Sequence, residues 1–397
     1  MLAVPLGRWP FSGRTRGAHE VVNSTRKTGG SLKTHLRILF CACLLMVLGG
    51  CAQLGYYAQA MQGQMLLLAS AKPIDDWLAD PQVEEKLKTR LRQTRAIRSF
   101  AASELALPDN GSYKNYADLK RPYVMWNVVA TPELSLKPVK WCFPVAGCVD
   151  YRGYYNHEAA QAFADGLRAH GRDVRVSGVP AYSTLGWFND PVLSTFIDYP
   201  EAEIARLVFH ELAHQVAYAP GDSQFNESFA TAVEELGVAR WLEQHGDAAM
   251  RERYSQYRVR KEDFLALLNS HRQQLEANFS RDASDAEKRA RKQQIFASMK
   301  RQYETLKAER WDGYGGYDRW FGDAISNAHF ALAATYHDLV PGFRGLFAQE
   351  VDLRHFYAQV KAMAKLDKKQ RRAALAVYTP MGSPVPAAPA TQTVAAQ

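Results

Sequence analysis

The stretch His210-Glu211-Leu212-Ala213-His214, followed by Asn226-Glu227-Ser228-Phe229-Ala230, carries the most information in this sequence. Residues four positions apart on an α-helix lie on one face, so the side chains of His210 and His214 can reach the same ion. Zinc in a catalytic site usually takes three protein ligands, and two His with one Glu is a known set for peptide hydrolysis. The pattern predicts a zinc centre whose ligands are His210, His214 and Glu227.

Glu211 is the acidic residue that this ligand set leaves free. Zinc lowers the pKa of its bound water, and a carboxylate beside it can accept the water proton and pass it to the leaving amine. We therefore expect Glu211 to be the general base and acid. The alternative interpretation is a solvated helix, with Glu227 as an N-terminal charge favoured by the helix dipole.

The sequence around these motifs predicts two helices joined by a short loop. Glu203–Phe209 contains no Pro or Gly, 220–222 indicates a turn, and Asn226–Glu243 is rich in Ala, Glu and Leu. Glu234 lies seven residues after Glu227 and so on the same helix face. We expect Glu234 to hold a ligand His by its other ring nitrogen; a surface Glu is the alternative.

Residues 210–215 and 226–234 resemble the zinc signature of the gluzincin group that contains aminopeptidase N and leukotriene hydrolase. The resemblance implies that Glu227 is the third ligand and strengthens the role expected of Glu234. Twelve residues separate His214 from Glu227, a shorter spacer than in that group. No Gly-x-Met-Glu-Asn segment, which would hold a substrate amino terminus, lies upstream.

The chain more closely resembles a family of bacterial lipoproteins described as predicted aminopeptidases. The likeness covers most of the mature chain and includes 151–154, 181–188, 190–193 and the zinc segment. It implies a zinc metallopeptidase with an α+β, predominantly helical fold, in which a zincin-like core carries a small β-sheet and additional helices. The resemblance supports peptidase activity more strongly than it supports cleavage at amino termini. Exopeptidase and endopeptidase activity therefore both remain as alternatives.

The N-terminal segment predicts a lipoprotein signal peptide over residues 1–50. Four Lys or Arg residues between 26 and 37 precede the apolar run Ile38–Leu48, and Leu48–Cys51 ends in small residues and a Cys. Eleven apolar residues are too few to span a bilayer. We expect Cys51 to be acylated and Ala52 to direct the protein to the outer membrane, with residues 1–25 reflecting an upstream start codon. A soluble secreted protein is the alternative.

Charge gives no support for nucleic-acid binding. Residues 1–50 hold seven Lys or Arg and one Glu, so the formal net charge of +8 falls to +2 once they are removed. A nearly neutral chain lacks the basic surface that nucleic acids require. The charged run Asp367–Arg372 is interpreted as a solvated helix face.

Cysteine usage agrees with an oxidising compartment. Once the signal peptide and Cys51 are set aside, Cys142 and Cys148 remain as a pair separated by five residues that include Pro and Gly. We predict a disulfide between them, with two free buried thiols as the alternative.

The rest of the chain reads as mostly helical with a few strands. Strands are predicted over 123–129, 136–143 and 172–176, and a helix over 157–170. Tyr182–Trp187 is expected to be a strand that lines the cleft, or a core strand without substrate contact. Residues 51–378 form the metallopeptidase region, as one large domain or two subdomains, and 379–397 form a disordered Pro/Ala-rich tail.

The motif lacks a donor for the oxyanion that forms when water attacks a carbonyl. The gluzincins use a distant downstream Tyr, and Tyr314, Tyr317 and Tyr336 are available here. We choose Tyr336, because its segment resembles one in the lipoprotein family; packing in the core is the alternative role.

The predicted function is zinc-dependent hydrolysis of peptide bonds, and we expect the enzyme to be an aminopeptidase. We expect a lipid to anchor the protein to the periplasmic side of the bacterial outer membrane. The partners expected are a peptide or protein substrate and the membrane. The alternative is a non-catalytic lipoprotein with a zincin fold that binds peptide or envelope components.

Overall fold

Helices form most of the described chain, which in this computed structural model comprises residues 55–143, 147–322, 324–331 and 339–379. The helices are α1 (55–70), α2 (Ile74–Ala79), α3 (Glu85–Ser103), α4 (His157–Ala169), α5 (Glu201–Val216), α6 (Ser223–His245), α7 (Ala248–Ser280), α8 (Asp285–Glu309), α9 (Asp318–Gly322), α10 (328–331), α11 (Val340–Gln349), α12 (Leu353–Ala364) and α13 (Lys368–Ala376). The strands are β1 (Lys72–Pro73), β2 (Asn115–Ala117), β3 (Met125–Pro132), β4 (Trp141–Phe143), β5 (Gly147–Val149), β6 (Arg152–Tyr154), β7 (Arg172–Val179) and β8 (Val192–Leu193). The expected predominantly helical α+β class is confirmed.

The strands form three small sheets. β3 lies between β6 and β7 and is antiparallel to both, with Val128 opposite Arg152 on one side and Val176 on the other. A second sheet has the order β1-β2-β8, and β4 pairs with β5 in a hairpin. Of the predicted strand 136–143, only the last three residues form a strand, which is β4. The residues before β4 are irregular.

The helix pair α5 and α6 lies at the centre of the larger of two main hydrophobic clusters. Gly237 on α6 lies so close to α5 that a Cβ atom there would come within 2.6 Å of the Phe209 ring. Absence of a side chain at Gly237 thus lets the two helices approach closely. The second cluster packs α7 against α8 through side chains that include Phe264, Phe296 and Met299.

The start of α6 is fixed by Asp222 and by the C-terminal helix α13. The Asp222 side chain accepts a hydrogen bond from the backbone N–H of Phe225 and so caps the helix. Arg371 and Arg372 each place a guanidinium nitrogen 2.6 Å from an Asp222 oxygen, and Arg371 is buried. A wholly solvated face for the charged run 367–372 is therefore wrong. Arg371 is buried because it pairs with Asp222, which lies 149 residues earlier in the chain.

Residues 181–187 form no strand, contrary to the expectation for Tyr182–Trp187. Leu185 and Gly186 have φ angles of 58° and 82°, in the left-handed region, which is incompatible with a regular strand. The loop is closed instead by Asp190, whose carboxylate accepts hydrogen bonds from the Thr184 backbone N–H at 2.9 Å and hydroxyl at 2.8 Å.

Several predicted features lie outside the described residues. These are the signal peptide with Cys51, the segment containing Tyr336, and the tail from residue 380 onward. Within the described residues, no helix is both long and apolar enough to cross a membrane. The described residues from Ala58 onward belong to one compact unit.

Candidate active site

Helices α5 and α6 bring the three predicted metal ligands together. One nitrogen each from His210 and His214 and one carboxylate oxygen of Glu227 all lie within 4.8 Å of one another. Glu227 Oε2 is 3.2 Å from His210 Nε2 and 3.7 Å from His214 Nε2. Among the described residues this is the one group of His, Cys, Asp and Glu side chains that could hold a metal ion.

A second carboxylate orients His210 from the opposite side. Glu234, which is buried on α6, has an oxygen 2.9 Å from His210 Nδ1. When Nδ1–H donates to a carboxylate, the other ring nitrogen keeps its lone pair for a metal. The spacing of seven residues between Glu227 and Glu234 thus places carboxylates at both nitrogens of one imidazole.

Two cations stabilise Glu234 in its buried position. Arg206 on α5 lies 3.2 Å from Glu234 Oε2, and Lys261 on α7 lies 3.4 Å from Glu234 Oε1. Burial would raise the pKa of Glu234, but Arg206 and His210 hold it below its usual range. Glu234 is therefore a charged acceptor for His210. Arg206 also contacts Glu203, which links this network to the first turn of α5.

The electrostatics of the ligand group fit a cation. Burial opposes charge on each side chain, yet the interaction with His214 and the hydrogen bond from His210 lower the pKa of Glu227 to about 2. Burial would lower the pKa of His210, but hydrogen bonds to Glu227 and Glu234 raise it to about 10. The pocket is thus built to hold positive charge, which a divalent ion would supply. Two imidazole nitrogens and one carboxylate oxygen are donors that suit zinc.

Glu211 follows His210 on α5 and is buried. Burial raises the pKa of the Glu211 carboxyl, and the neighbouring His210 and His214 oppose that rise. A carboxylate whose pKa lies above its usual value is a better proton acceptor than a solvated one. An environment of this kind suits a group that accepts a proton.

His214 is held differently from His210. Its Nδ1 atom is buried and has no hydrogen-bond partner among the described residues. The next residue, Gln215, accepts a hydrogen bond from Asn110 Nδ2 at 2.7 Å and donates one to Ser112 Oγ at 3.1 Å. These bonds fix the end of α5 to the loop that precedes β2.

That loop also carries Tyr113, a buried candidate residue that the sequence did not single out. Buried Arg98 on α3 donates to the backbone oxygens of Pro108 and Ser112 and so fixes the loop. Tyr113 itself has a φ of 62°, and its backbone N–H donates a hydrogen bond to the backbone oxygen of Asp190 at 2.6 Å. A left-handed tyrosine is a strained conformation, which persists when the surrounding structure enforces it.

The hydroxyl of Tyr113 is buried and has no hydrogen-bond partner among the described residues. Burial raises the pKa of Tyr113 well above its usual value, and the nearby carboxylates of Glu211 and Asp190 raise it further. The hydroxyl therefore stays protonated and can act as a donor. The Asn110-Gly111 dipeptide indicates a turn in the sequence, but no local pattern connects that turn with Glu211.

The structure also shows the surroundings of three other tyrosines. Tyr218, two residues after α5, is half-buried, and burial together with nearby Glu227 raises its pKa. Tyr317 stacks on Phe264 at 4.0 Å between ring centroids, so it is part of the packing around α7. The Tyr314 ring lies against Arg260, also on α7.

The cysteine pair lies beside the turn that leads into α6. Cys142 and Cys148 are bonded to each other and face one another across the β4–β5 hairpin. Gly147 has a φ of 71°, and a Cβ atom there would lie 2.8 Å from the backbone nitrogen of Gly221. The disulfide hairpin thus contacts the segment that positions Glu227.

Comparison with known proteins identifies one family. A protein-family model described as "Putative aminopeptidase" matches residues 55–375 of the 397-residue chain. The matched range includes α5, α6 and the loop that carries Tyr113. No curated protein and no solved structure matches the chain.

Proposed function

Because the chain belongs to this aminopeptidase family, we propose that it is a zinc-dependent peptidase whose centre is formed by α5 and α6. The observation that carries the proposal is the position of His210 between two carboxylates, with Glu234 at Nδ1 and Glu227 at Nε2. A chance pair of surface His residues would have neither buried carboxylates nor a third donor within reach. An ion-binding group buried beside Glu211 has the parts needed for hydrolysis.

In this proposal His210, His214 and Glu227 would hold zinc, which when bound would activate a water and polarise the substrate carbonyl. Glu211 would accept a proton from the attacking water and pass it to the nitrogen of the leaving amine. Glu234 keeps the His210 ring in the orientation and tautomer that the ligand role requires. Burial of these side chains strengthens each electrostatic interaction, because little water screens it.

Tyr113 is our candidate for the donor that stabilises the oxyanion. Its buried hydroxyl has no hydrogen-bond partner among the described residues, and the charge of the Glu211 carboxylate helps to raise its pKa. A buried hydroxyl without a partner is costly unless it serves a ligand or a reaction. Tyr336, chosen from the sequence, lies outside the described residues and remains a second candidate. A single variant of each Tyr, assayed for turnover with zinc content monitored, separates the two.

The aminopeptidase specificity is a finer part of the proposal, supported by the family description. It predicts that peptides with a free amino terminus are cleaved and that the same peptides acetylated at the amino terminus are not. Equal cleavage of both forms would identify an endopeptidase. Binding of peptides without any cleavage would favour the non-catalytic alternative.

The proposed location is the periplasmic face of the outer membrane, through a lipid on Cys51. The sequence of residues 26–52 supports this, since it combines basic residues, a short apolar run and a Cys after small residues. Radiolabelled palmitate incorporated by the wild-type chain and absent after Cys51→Ser would support it.

Metal removal tests the proposed chemistry. We expect the purified chain to hold about one zinc and to lose peptide cleavage when a chelator removes the metal. Added zinc should restore cleavage. Cleavage that survives with no metal detectable by mass spectrometry would contradict the proposal.

A further inference from the structure

Helix α1 exposes an apolar stripe. Residues 53–71 contain no charged side chain, and Met61, Met65 and Leu66 are 70%, 56% and 63% exposed. Met61 and Met65 are four residues apart and so lie on one face of the helix. The other face packs on the protein: Leu67 is buried, and Gln64 accepts a hydrogen bond from the Tyr155 hydroxyl at 2.7 Å. The exposed stripe is therefore not a consequence of a poorly packed helix.

A second exposed apolar group lies on the loop that follows β7. Trp187 is 71% exposed and Phe188 is also exposed. The loop holds them firmly, because the Thr184 hydroxyl donates to Asp190 and accepts a hydrogen bond from the Phe188 backbone N–H at 3.1 Å. A large indole held in solvent by a fixed loop is available for a partner.

The C-terminal end of α1 and the loop line a shared cavity of about 390 Å³. Leu68, three residues after Met65 and seven after Met61, continues the helix face of the stripe to this cavity. Leu68 and Ala71 line it from α1 and the residue just after, and Trp187 and Phe188 line it from the loop. We call the surface formed by Met61, Met65, Leu66, Trp187 and Phe188 the apolar platform. The other exposed large apolar residues from Val259 onward, such as Val351, lie elsewhere along the chain.

We infer that the apolar platform rests on the lipid bilayer, as a second membrane contact beside the proposed lipid anchor, on which this inference depends. Cys51 lies only four residues before α1, so the anchor and the platform are close in the chain. Once a lipid holds the chain at the surface, the platform is at high effective concentration beside the bilayer, and weak apolar contacts suffice.

The chemistry of the platform favours lipid over a protein partner. Protein interfaces are bordered by polar groups that form specific hydrogen bonds and ion pairs. Helix α1 offers no charge for such pairs, whereas a Trp with neighbouring Met and Leu is typical of membrane-water boundaries and of helices that lie in them.

The platform also lies close to the end of helix α5, which carries His210 and His214. Gly186, adjacent to Trp187, lies against the side chain of Gln215, which directly follows His214. Contact of the loop with lipid would therefore bring the bilayer surface near the end of α5. Substrates delivered from that surface, such as segments of membrane-bound proteins, are the class that this arrangement favours.

The test uses the acylated full chain reconstituted in vesicles of phosphatidylethanolamine and phosphatidylglycerol. A single Cys is introduced by Met65→Cys, Trp187→Cys or the control Val351→Cys, whose position is 89% exposed, and is labelled with an environment-sensitive dye. We expect blue-shifted emission and quenching by nitroxide lipids for the labels at 65 and 187. The label at 351 should behave as in water.

Three outcomes would overturn the inference. In the first, the chain floats with the vesicles but the labels at 65 and 187 stay as hydrated as the label at 351. This result would support the lipid anchor and exclude contact between the platform and the bilayer. Labels that are shielded yet not quenched by nitroxide lipids would indicate a protein contact. A chain that does not float with the vesicles would contradict the proposed lipid anchor as well as the platform contact. Peptide cleavage measured on the same samples reports separately on the proposed peptidase function.

Discussion

The Nδ1 atom of His210 lies 2.9 Å from a carboxylate oxygen of Glu234, although the two residues are 24 positions apart on different helices. This contact turns Nε2 of the same ring toward Glu227 and His214. Side chains of the protein itself therefore fix the orientation of the His210 ring. Preorganisation of this kind reduces the cost of assembling a metal site.

We expect Glu234→Gln to weaken zinc binding by about 10- to 100-fold, because the neutral amide no longer stabilises the His210 N–H as a charged acceptor does. Competition with a chromophoric chelator measures this affinity. Glu235→Gln is the matched control, since Glu235 is the next residue on α6 and pairs with Arg344 instead. Equal zinc affinities of Glu234→Gln and the wild type would contradict the role given to Glu234.

Tyr113→Phe should lower kcat by about 10²- to 10³-fold, the usual effect of losing one oxyanion donor. Stability should be unchanged or slightly higher, because the lost hydroxyl is buried and has no partner in the part of the chain that the structure describes. Tyr116→Phe, at a buried Tyr that packs on Trp77, is the control for loss of a hydroxyl. A Tyr113→Phe enzyme with normal kcat would exclude Tyr113 as the donor.

Arg371→Ala should destabilise the protein by about 1–3 kcal/mol, because Asp222 keeps Arg372 but loses one charged donor, and backbone carbonyls at the end of α12 lose the same donor. Zinc affinity should also fall, since Asp222 caps the helix that carries Glu227. Lys368→Ala is the control: this exposed side chain lies 3.9 Å from Asp222 and should contribute little. Urea denaturation measures both variants, and equal midpoints would refute the buried pair's importance.

Replacing both Cys142 and Cys148 by Ser should lower the free energy of unfolding by about 2 kcal/mol, as expected for opening a very short disulfide loop. Reductant should produce a similar loss in the wild type and no further loss in the double variant. Urea midpoints with and without reductant provide the comparison. A wild type insensitive to reductant, with its free thiols shown to form, would argue against this contribution.

The helix pair and ligand group could be predicted because their information is local. His210 and His214 share a helix face by spacing alone, and Glu227 and Glu234 share another. Turn residues between the motifs then bring the second helix back toward the first. The predominantly helical class follows in the same way from long segments without Pro or Gly.

Features that depend on distant contacts could not be predicted. The backbone of the loop that carries Tyr113 is held by Arg98 and by the Asp190 backbone, and nothing near Tyr113 in the sequence indicates the influence of Glu211. Arg371 looked like a solvated charge because Asp222 precedes it by 149 residues. The strand expected at 182–187 failed because Leu185 and Gly186 adopt left-handed backbone angles, which the apolar and aromatic composition did not reveal.

Glu211→Gln tests the central claim most directly, since it removes the proposed proton acceptor and keeps the size of the side chain. The account predicts a variant that binds about one zinc per chain and whose cleavage of peptides falls by at least about 10²-fold. Glu201→Gln on the same helix, where the amide oxygen can still accept the Trp241 hydrogen bond, should cleave at the wild-type rate. Undiminished cleavage by Glu211→Gln with zinc bound would contradict the account.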